Sequence, residues 1–411
     1  MSRKSICILA LSPIARDGRV LRQIQYLSPH YDLTVVGYGP PHPHWADHPY
    51  VRWLQLPEPT PVAAIKAELR RGKLTSLYRR LPLELSRLAY RSSLYMGRIL
   101  PAAYDAGYSL RWRMIDQIKQ LIAMRHDAYH ANDWNTLSLA FKMAKIHGAR
   151  VVIDLHEYAP LEFESQPDWW LYEPMLRQVL QTYGPQADAA ITVAPPIAER
   201  YRQEFGFEPI VVLNAPEYMP VPAREIDAQN LRIIHHGAAS KLRRPEVMIE
   251  AIAHCDQRYS LHFMFVPSPY VEELKQLAAQ RAPGRVSFHA PVAPEAIVPR
   301  IAEFDIGFTL LPPQSFNDQV ALPNKFFECI GAALALCAGP SSSMAAIIQT
   351  YGCGVVAPSF APEEIAATLN QTSTEEWCAM RTQARTAALD LNAAHEMGKV
   401  VQLYAQLLNG N

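Results

Sequence analysis

Two charged residues one helical turn apart, Lys325 and Glu328, are the first candidates for chemistry in this chain. They lie in the run Ala321-Leu322-Pro323-Asn324-Lys325-Phe326-Phe327-Glu328, after an apolar stretch, Asp305 to Leu311, that reads as a strand. A proline, then Asn324 as N-cap, then Lys325 in the first turn predicts a helix running to about Gly331. A helix start of this kind offers unpaired N–H groups and the positive end of the dipole, which suits a phosphate. Residues three apart share a face. A cation for phosphate and a carboxylate for a ribose diol would together clamp a nucleotide. The plain alternative is an exposed salt pair on a capped helix.

A second set of candidates follows short strands in the first half of the chain: His130 with Asp133, and His156 with Glu157. Both pairs are expected at the carboxyl rim of a parallel sheet, where ligands bind in open α/β folds. There a histidine or carboxylate can hold ligand hydroxyls or orient a hydroxyl nucleophile. For any one of these histidines, a structural hydrogen bond is the competing assignment.

The elements that must position these residues follow a regular plan. At 411 residues the chain is long enough for two domains. Short apolar runs alternate with helical periodicity along most of it, the pattern of parallel α/β construction. Expected strands in the first half are 6–10, 33–37, 127–130, 151–154, 189–193 and 210–213. Those in the second half are 231–235, 261–266, 286–289, 306–311, 334–338 and 355–357. The proline-rich Ala215–Pro222 reads as a hinge. The fold class expected is therefore two doubly wound, Rossmann-like α/β domains facing across a cleft, over residues 1–217 and 218–385. A C-terminal helix over 386–411 is expected to pack back on the first domain.

Composition narrows the function classes. Formal charge is zero, which argues against bulk nucleic-acid binding. The six cysteines show no CxxC and no zinc spacing, and read as buried thiols of a reducing compartment. His42, His44, His48 and Asp47 fall in a proline-containing loop without a second rigid element, so no metal site is expected. No apolar run is long enough to span a bilayer, and the short run after Arg3 and Lys4 reads as a first strand rather than a signal peptide. A cytoplasmic location is the expectation. Residues 61–126 depart from the rest, with thirteen Lys/Arg against Glu68, Glu84, Asp105 and Asp116, a local balance of +9, interleaved with leucines and tyrosines. Such a segment suits either an anionic membrane surface, placing the protein on the inner face of the membrane, or a solvated helical face.

Several segments in order resemble the retaining glycosyltransferase family 4, of GT-B fold, found in bacterial saccharide synthesis. They are Ser12–Val20, His130–Asp133, Asp154–Glu157, Ala187–Val193, Val212–Pro216, His236-Gly237, Arg243 with Glu246, and Leu322–Glu328. The resemblance implies a hexosyltransferase-like enzyme moving a sugar from a nucleotide-sugar to a lipid-linked or polysaccharide-precursor acceptor. It implies a donor site of Gly237, Arg243, Asn324, Lys325 and Glu328, with Lys241 and Arg244 in reserve, and an acceptor site of His130, Asp133, His156 and Glu157. The nucleotide-sugar is substrate rather than cofactor; UDP is the first expectation for its base and GDP the second. Retention with the departing diphosphate as proton acceptor asks for cations and a helix start rather than a metal or a strong base.

Three positions depart from the family pattern. Val320 stands where the first of two carboxylates eight apart is usual, Ala238 where an arginine is usual, and Arg244 where a glycine is usual. These substitutions keep a second reading open, a catalytically silent GT-B protein acting as a nucleotide-sugar sensor or partner subunit. A nucleotide-sugar epimerase, also built from two α/β domains, is a third.

Overall fold

The computed structural model describes residues 3–56, 88, 90–111 and 114–410. The chain divides into two compact units. One comprises Met1–Thr192, Ala198–Val211 and Val400–Asn411; the other comprises Val193–Ile197 and Val212–Lys399.

The first unit is a seven-stranded parallel sheet. Its strands are β1 (Ser5–Pro13), β2 (Asp32–Tyr38), β3 (Val51–Leu56), β4 (Ala128–Asn132), β5 (Arg150–Leu155), β6 (Ala189–Thr192) and β7 (Ile210–Val211). They lie in the order β3-β2-β1-β4-β5-β6-β7. Central strands are apolar without alternation, because helices cover both faces of a parallel sheet. Ile6, Cys7, Ile8, Leu9 and Ala10 of β1 are all buried, as are all five residues of β4. β3 was not anticipated. It is an edge strand that buries only Val51 and Leu56 fully, and Arg52 and Gln55 interrupt its apolar signal.

The second unit repeats the plan with six parallel strands in the order β10-β9-β8-β11-β12-β13. These are β8 (Leu231–Ala238), β9 (Tyr259–Val266), β10 (Val286–His289), β11 (Ile306–Thr309), β12 (Ala335–Ala338) and β13 (Gly354–Val356). Strand order reverses between β1 and β4 in the first sheet and between β8 and β11 in the second. Crevices at the carboxyl ends of strands beside such a reversal are the usual ligand sites of open α/β sheets.

Two local expectations are corrected. The helix Asn324–Gly331 begins one residue earlier than foreseen: Pro323 is its N-cap, in extended conformation, and Asn324 is already helical. The Pro323 carbonyl accepts the first intrahelical bond, from Phe326 N at 2.9 Å, so no side chain caps this end. Cys378 is exposed, whereas the other five cysteines are buried as expected. It falls on the long helix Thr374–Asp390, outside the apolar runs that enclose the rest.

Pro43–Trp45 form a 3₁₀ turn with Trp45 buried and edge-on to His44 and His48. Among the described residues no cluster of three or more His, Cys, Asp or Glu is placed to hold a metal, and no helix is long and apolar enough to cross a membrane. Of the basic residues in 61–126, Lys66, Arg70, Arg71, Lys73, Arg79, Arg80, Arg87 and Arg113 lie outside the described residues.

Candidate functional site

In the first unit the candidate residues gather at the ends of β4 and β5. Asp154, near the end of β5, is the centre of a buried polar network. Arg19 binds it through two hydrogen bonds, Nε to Oδ2 at 2.8 Å and Nη2 to Oδ1 at 2.7 Å. Gln23, one turn further along the helix Gly18–Leu27, donates to Asp154 at 2.8 Å and to Asn132 at 2.9 Å. Burial alone would raise the Asp154 carboxyl. The Arg19 guanidinium, with His130 and His156, outweighs that and holds it well below the usual carboxylate range.

His130 is enclosed within β4 rather than exposed at its rim, with 0 % of its surface accessible. Its Nδ1 is 2.8 Å from the Tyr404 hydroxyl and its Nε2 3.6 Å from Asp154. Asp133, just beyond the strand, has φ 60° and ψ 163°, a conformation otherwise almost confined to glycine. Its carboxylate accepts from the His156 backbone N–H at 3.2 Å and lies 3.3 Å from His156 Nδ1. Asp133, His156 and Glu157 line a cavity of about 180 Å³ together with Trp134, Leu155, Ala159 and Glu162. His130 does not reach it.

Glu162 was not singled out from the sequence, since its neighbours Leu161 and Phe163 give it no motif. Trp134 Nε1 donates to it at 3.0 Å. Enclosure, with Glu157 and Asp133 adding negative charge, pushes its carboxyl up to about 8, so it holds a proton at neutral pH. Asp133 is also raised, by enclosure first and by Asp154 and Asp17 in addition, although His156 opposes this. The cavity therefore presents both hydrogen-bond donors and acceptors, as a hydroxyl-rich ligand requires.

In the second unit the candidates meet where β8 ends and the helix Asn324–Gly331 begins. Gly237 has φ 112°, which a side chain would strain, and a Cβ there would sit 3.6 Å from Lys325 Nζ. No ion pair joins Lys325 to Glu328; each turns to a histidine of β8. Lys325 Nζ donates to His235 Nε2 at 3.2 Å, and His236 Nε2 donates to Glu328 Oε2 at 2.7 Å. Enclosure and the nearby Arg243 lower the Lys325 ammonium to about 8. Arg243 ends a 3₁₀ turn, Lys241–Arg243, and binds Asp318 at 2.6 Å. Asn324 is exposed in the first turn of its helix. Lys241 pairs instead with Glu273 at 2.8 Å. Arg244 adopts φ 47°, which explains in physical terms why a glycine suits that position. Val320 is buried, and the carboxylate nearest it in the chain, Asp318, is engaged by Arg243. His235, His236 and Asp318 thus complete an arrangement of which the sequence motifs showed only half.

Residues 20–215 match the model of Glycosyltransferase Family 4. No curated protein sequence matches the chain significantly. Among solved structures, the chain is similar to the sucrose-phosphate synthase (tll1590) of Thermosynechococcus elongatus at 13 % identity, covering 100 % of both chains with a TM-score of 0.72. It is also similar to Anabaena Alr3699/HepE in complex with UDP-glucose, at 13 % identity, covering 97 % of this chain and 98 % of that one with a TM-score of 0.65. The glycosyltransferase WaaG, involved in lipopolysaccharide biosynthesis, shares 14 % identity over 99 % of this chain and 100 % of its own, with a TM-score of 0.57. At such identities these likenesses show the fold, which is GT-B; the family match supplies the chemistry. The chain is a glycosyltransferase of GT-B fold, and its residues 20–215, just under half of it, match Glycosyltransferase Family 4.

Proposed function

We propose that the enzyme transfers a hexose from a UDP-sugar to a lipid-linked or polysaccharide-precursor saccharide. The donor lies on the second unit. Lys325 and Arg243 bind its diphosphate, Gly237 and the helix start at Asn324 bring backbone close to it, and Glu328 takes the ribose hydroxyls. The observation that carries this reading is the pairing of an ammonium and a carboxylate on one helical turn, each fixed by its own histidine beside a positive-φ glycine. Preorganised charge is what stabilises a leaving diphosphate, and the diphosphate itself takes the proton from the incoming hydroxyl. The solved complex of HepE with UDP-glucose supports UDP as the base to test first, ahead of GDP.

The acceptor is assigned to the cavity of the first unit. Asp133, His156 and Glu157 contact its hydroxyls, while His130 is fully buried, with Nε2 3.6 Å from Asp154. A membrane-proximal acceptor is supported by an exposed apolar patch on the same unit. It includes Tyr95, Met96, Ile99 (90 % exposed) and Leu100, with Trp170 close to Tyr95 and Arg98 lying over the Trp170 ring. Aromatic and aliphatic groups beside arginine suit the headgroup region of anionic lipid.

A thermal-shift panel of UDP, GDP, ADP, CMP and dTDP on wild type and Glu328→Ala tests the donor assignment. Ligand at about a hundred times its dissociation constant stabilises by about 2.7 kcal/mol. A shift with UDP that the variant loses is expected; equal shifts in both proteins would refute the role of Glu328. Sedimentation with anionic vesicles at low salt tests the membrane assignment, and Ile99→Glu should abolish it. Failure of wild type to sediment would refute it.

A further inference from the structure

Strand β8 ends its buried part with two successive histidines, His235 and His236, exposed by 4 % and 3 %. Their hydrogen-bonding polarities are opposite, and the partners dictate this. His235 Nδ1 is 2.7 Å from the Phe308 carbonyl of β11. A carbonyl only accepts, so the proton sits on Nδ1 and Nε2 keeps its lone pair. That lone pair faces Lys325 Nζ, which only donates. The ring is therefore neutral, and burial together with the Lys325 charge keeps it so. Phe263 and Phe265 stand edge-on to it, with centroids 6.2 and 5.7 Å away, and limit its rotation. His236 meets a carboxylate, which only accepts, so its Nε2 carries the proton and donates to Glu328.

The strand thus offers an acceptor to the cation and a donor to the anion of one helical face, three residues apart. The His235 lone pair is a neutral acceptor that holds Lys325 Nζ beside Gly237 against the repulsion of Arg243. Without the His236 N–H, Glu328 would be free to swing toward its neighbour Lys325.

We propose that His235 and His236 are paired positioning residues for the donor, His235 setting the ammonium that meets the diphosphate and His236 setting the carboxylate that meets the ribose. This rests on the donor-site assignment above. The two histidines therefore act on different parts of one ligand, which a purely structural role would not do.

The test compares nucleosides with nucleoside diphosphates on His235→Leu, His235→Gln, His236→Leu and His236→Gln. UDP and GDP are titrated calorimetrically, uridine and guanosine by ligand-observed NMR, and near-UV circular dichroism checks each fold. His235→Leu should weaken the diphosphate on the order of tenfold or more while leaving the nucleoside unchanged. His236→Leu should weaken nucleoside and diphosphate alike. Glutamine, which can accept from Lys325 or donate to Glu328, should recover much of each loss. Folded leucine variants that bind like wild type, or that lose nucleoside and diphosphate equally at both positions, would overturn the pairing. Should a leucine variant fail to fold, the glutamine variant decides: the same ligand-resolved pattern in weaker form supports the pairing, and equal losses refute it. Wild type that binds neither UDP nor GDP would overturn the donor-site assignment itself, and the pairing with it.

Discussion

Arg19 and Asp154, 135 positions apart in the chain, close on each other through two hydrogen bonds with side chains only 7 % and 2 % exposed. Removing one partner of such a buried pair strands the other charge, at a cost of about 3–5 kcal/mol. Arg19→Met and Asp154→Leu are each expected to lose stability on this scale in urea unfolding. The double variant should recover part of it, because replacing both charges removes the unpaired ion as well.

Lys325 gives the donor site a pH dependence with a defined sign. Its ammonium titrates at about 8 in the free protein, and only the protonated form attracts a diphosphate. UDP affinity is expected to hold below pH 7 and decline as pH rises through 8. Lys325→Met should bind more weakly at pH 7 and show a flatter profile, measured calorimetrically across that range.

Glu162 should tie stability to pH. Its folded-state pKa, about 8, lies above its ordinary value of 4.5. The folded protein therefore holds the proton more tightly than the unfolded chain between these values. The associated stability is fully present below about 4.5 and is lost as pH rises through 8. Glu162→Gln, which keeps the shape without the titration, should flatten the fall of Tm between pH 5 and 8.

Arg244 occupies the left-handed region at φ 47°, at a conformational cost of about 1–2 kcal/mol for a non-glycine residue. Glycine removes this strain but loses more backbone freedom on folding, so Arg244→Gly is expected to gain about 0.5–1 kcal/mol net. A raised urea midpoint with unchanged slope would show it.

These residues also show where sequence reading succeeds. β1 was legible because a strand buried on both faces is an unbroken apolar run, as in Ile6–Ala10, and β8 because Leu231, Ile233 and Ile234 are apolar around the single Arg232. β3 was not, because an edge strand with Arg52 and Gln55 exposes much of its length. For the sites, residue types and local spacing marked Lys325 and Glu328, since a helix places neighbours three apart on one face. What they bind was hidden. His235 is 90 positions from Lys325, and only the β8–β11 pairing beside the helix Asn324–Gly331 brings them together. His130 was marked as a rim residue from its place near a strand end, yet one strand position decides between a rim and a core, and it is buried.

The Tyr404 hydroxyl that meets His130 comes from Val400–Asn411, a segment of the first unit that follows the whole of the second in the chain. A ribosome therefore releases the main body of the first unit long before the residues that complete it. With synthesis at about 5–20 residues per second, the nascent sheet waits on the order of ten seconds or more for its closing piece. Until then His130 Nδ1 lacks the Tyr404 hydroxyl and is left to water.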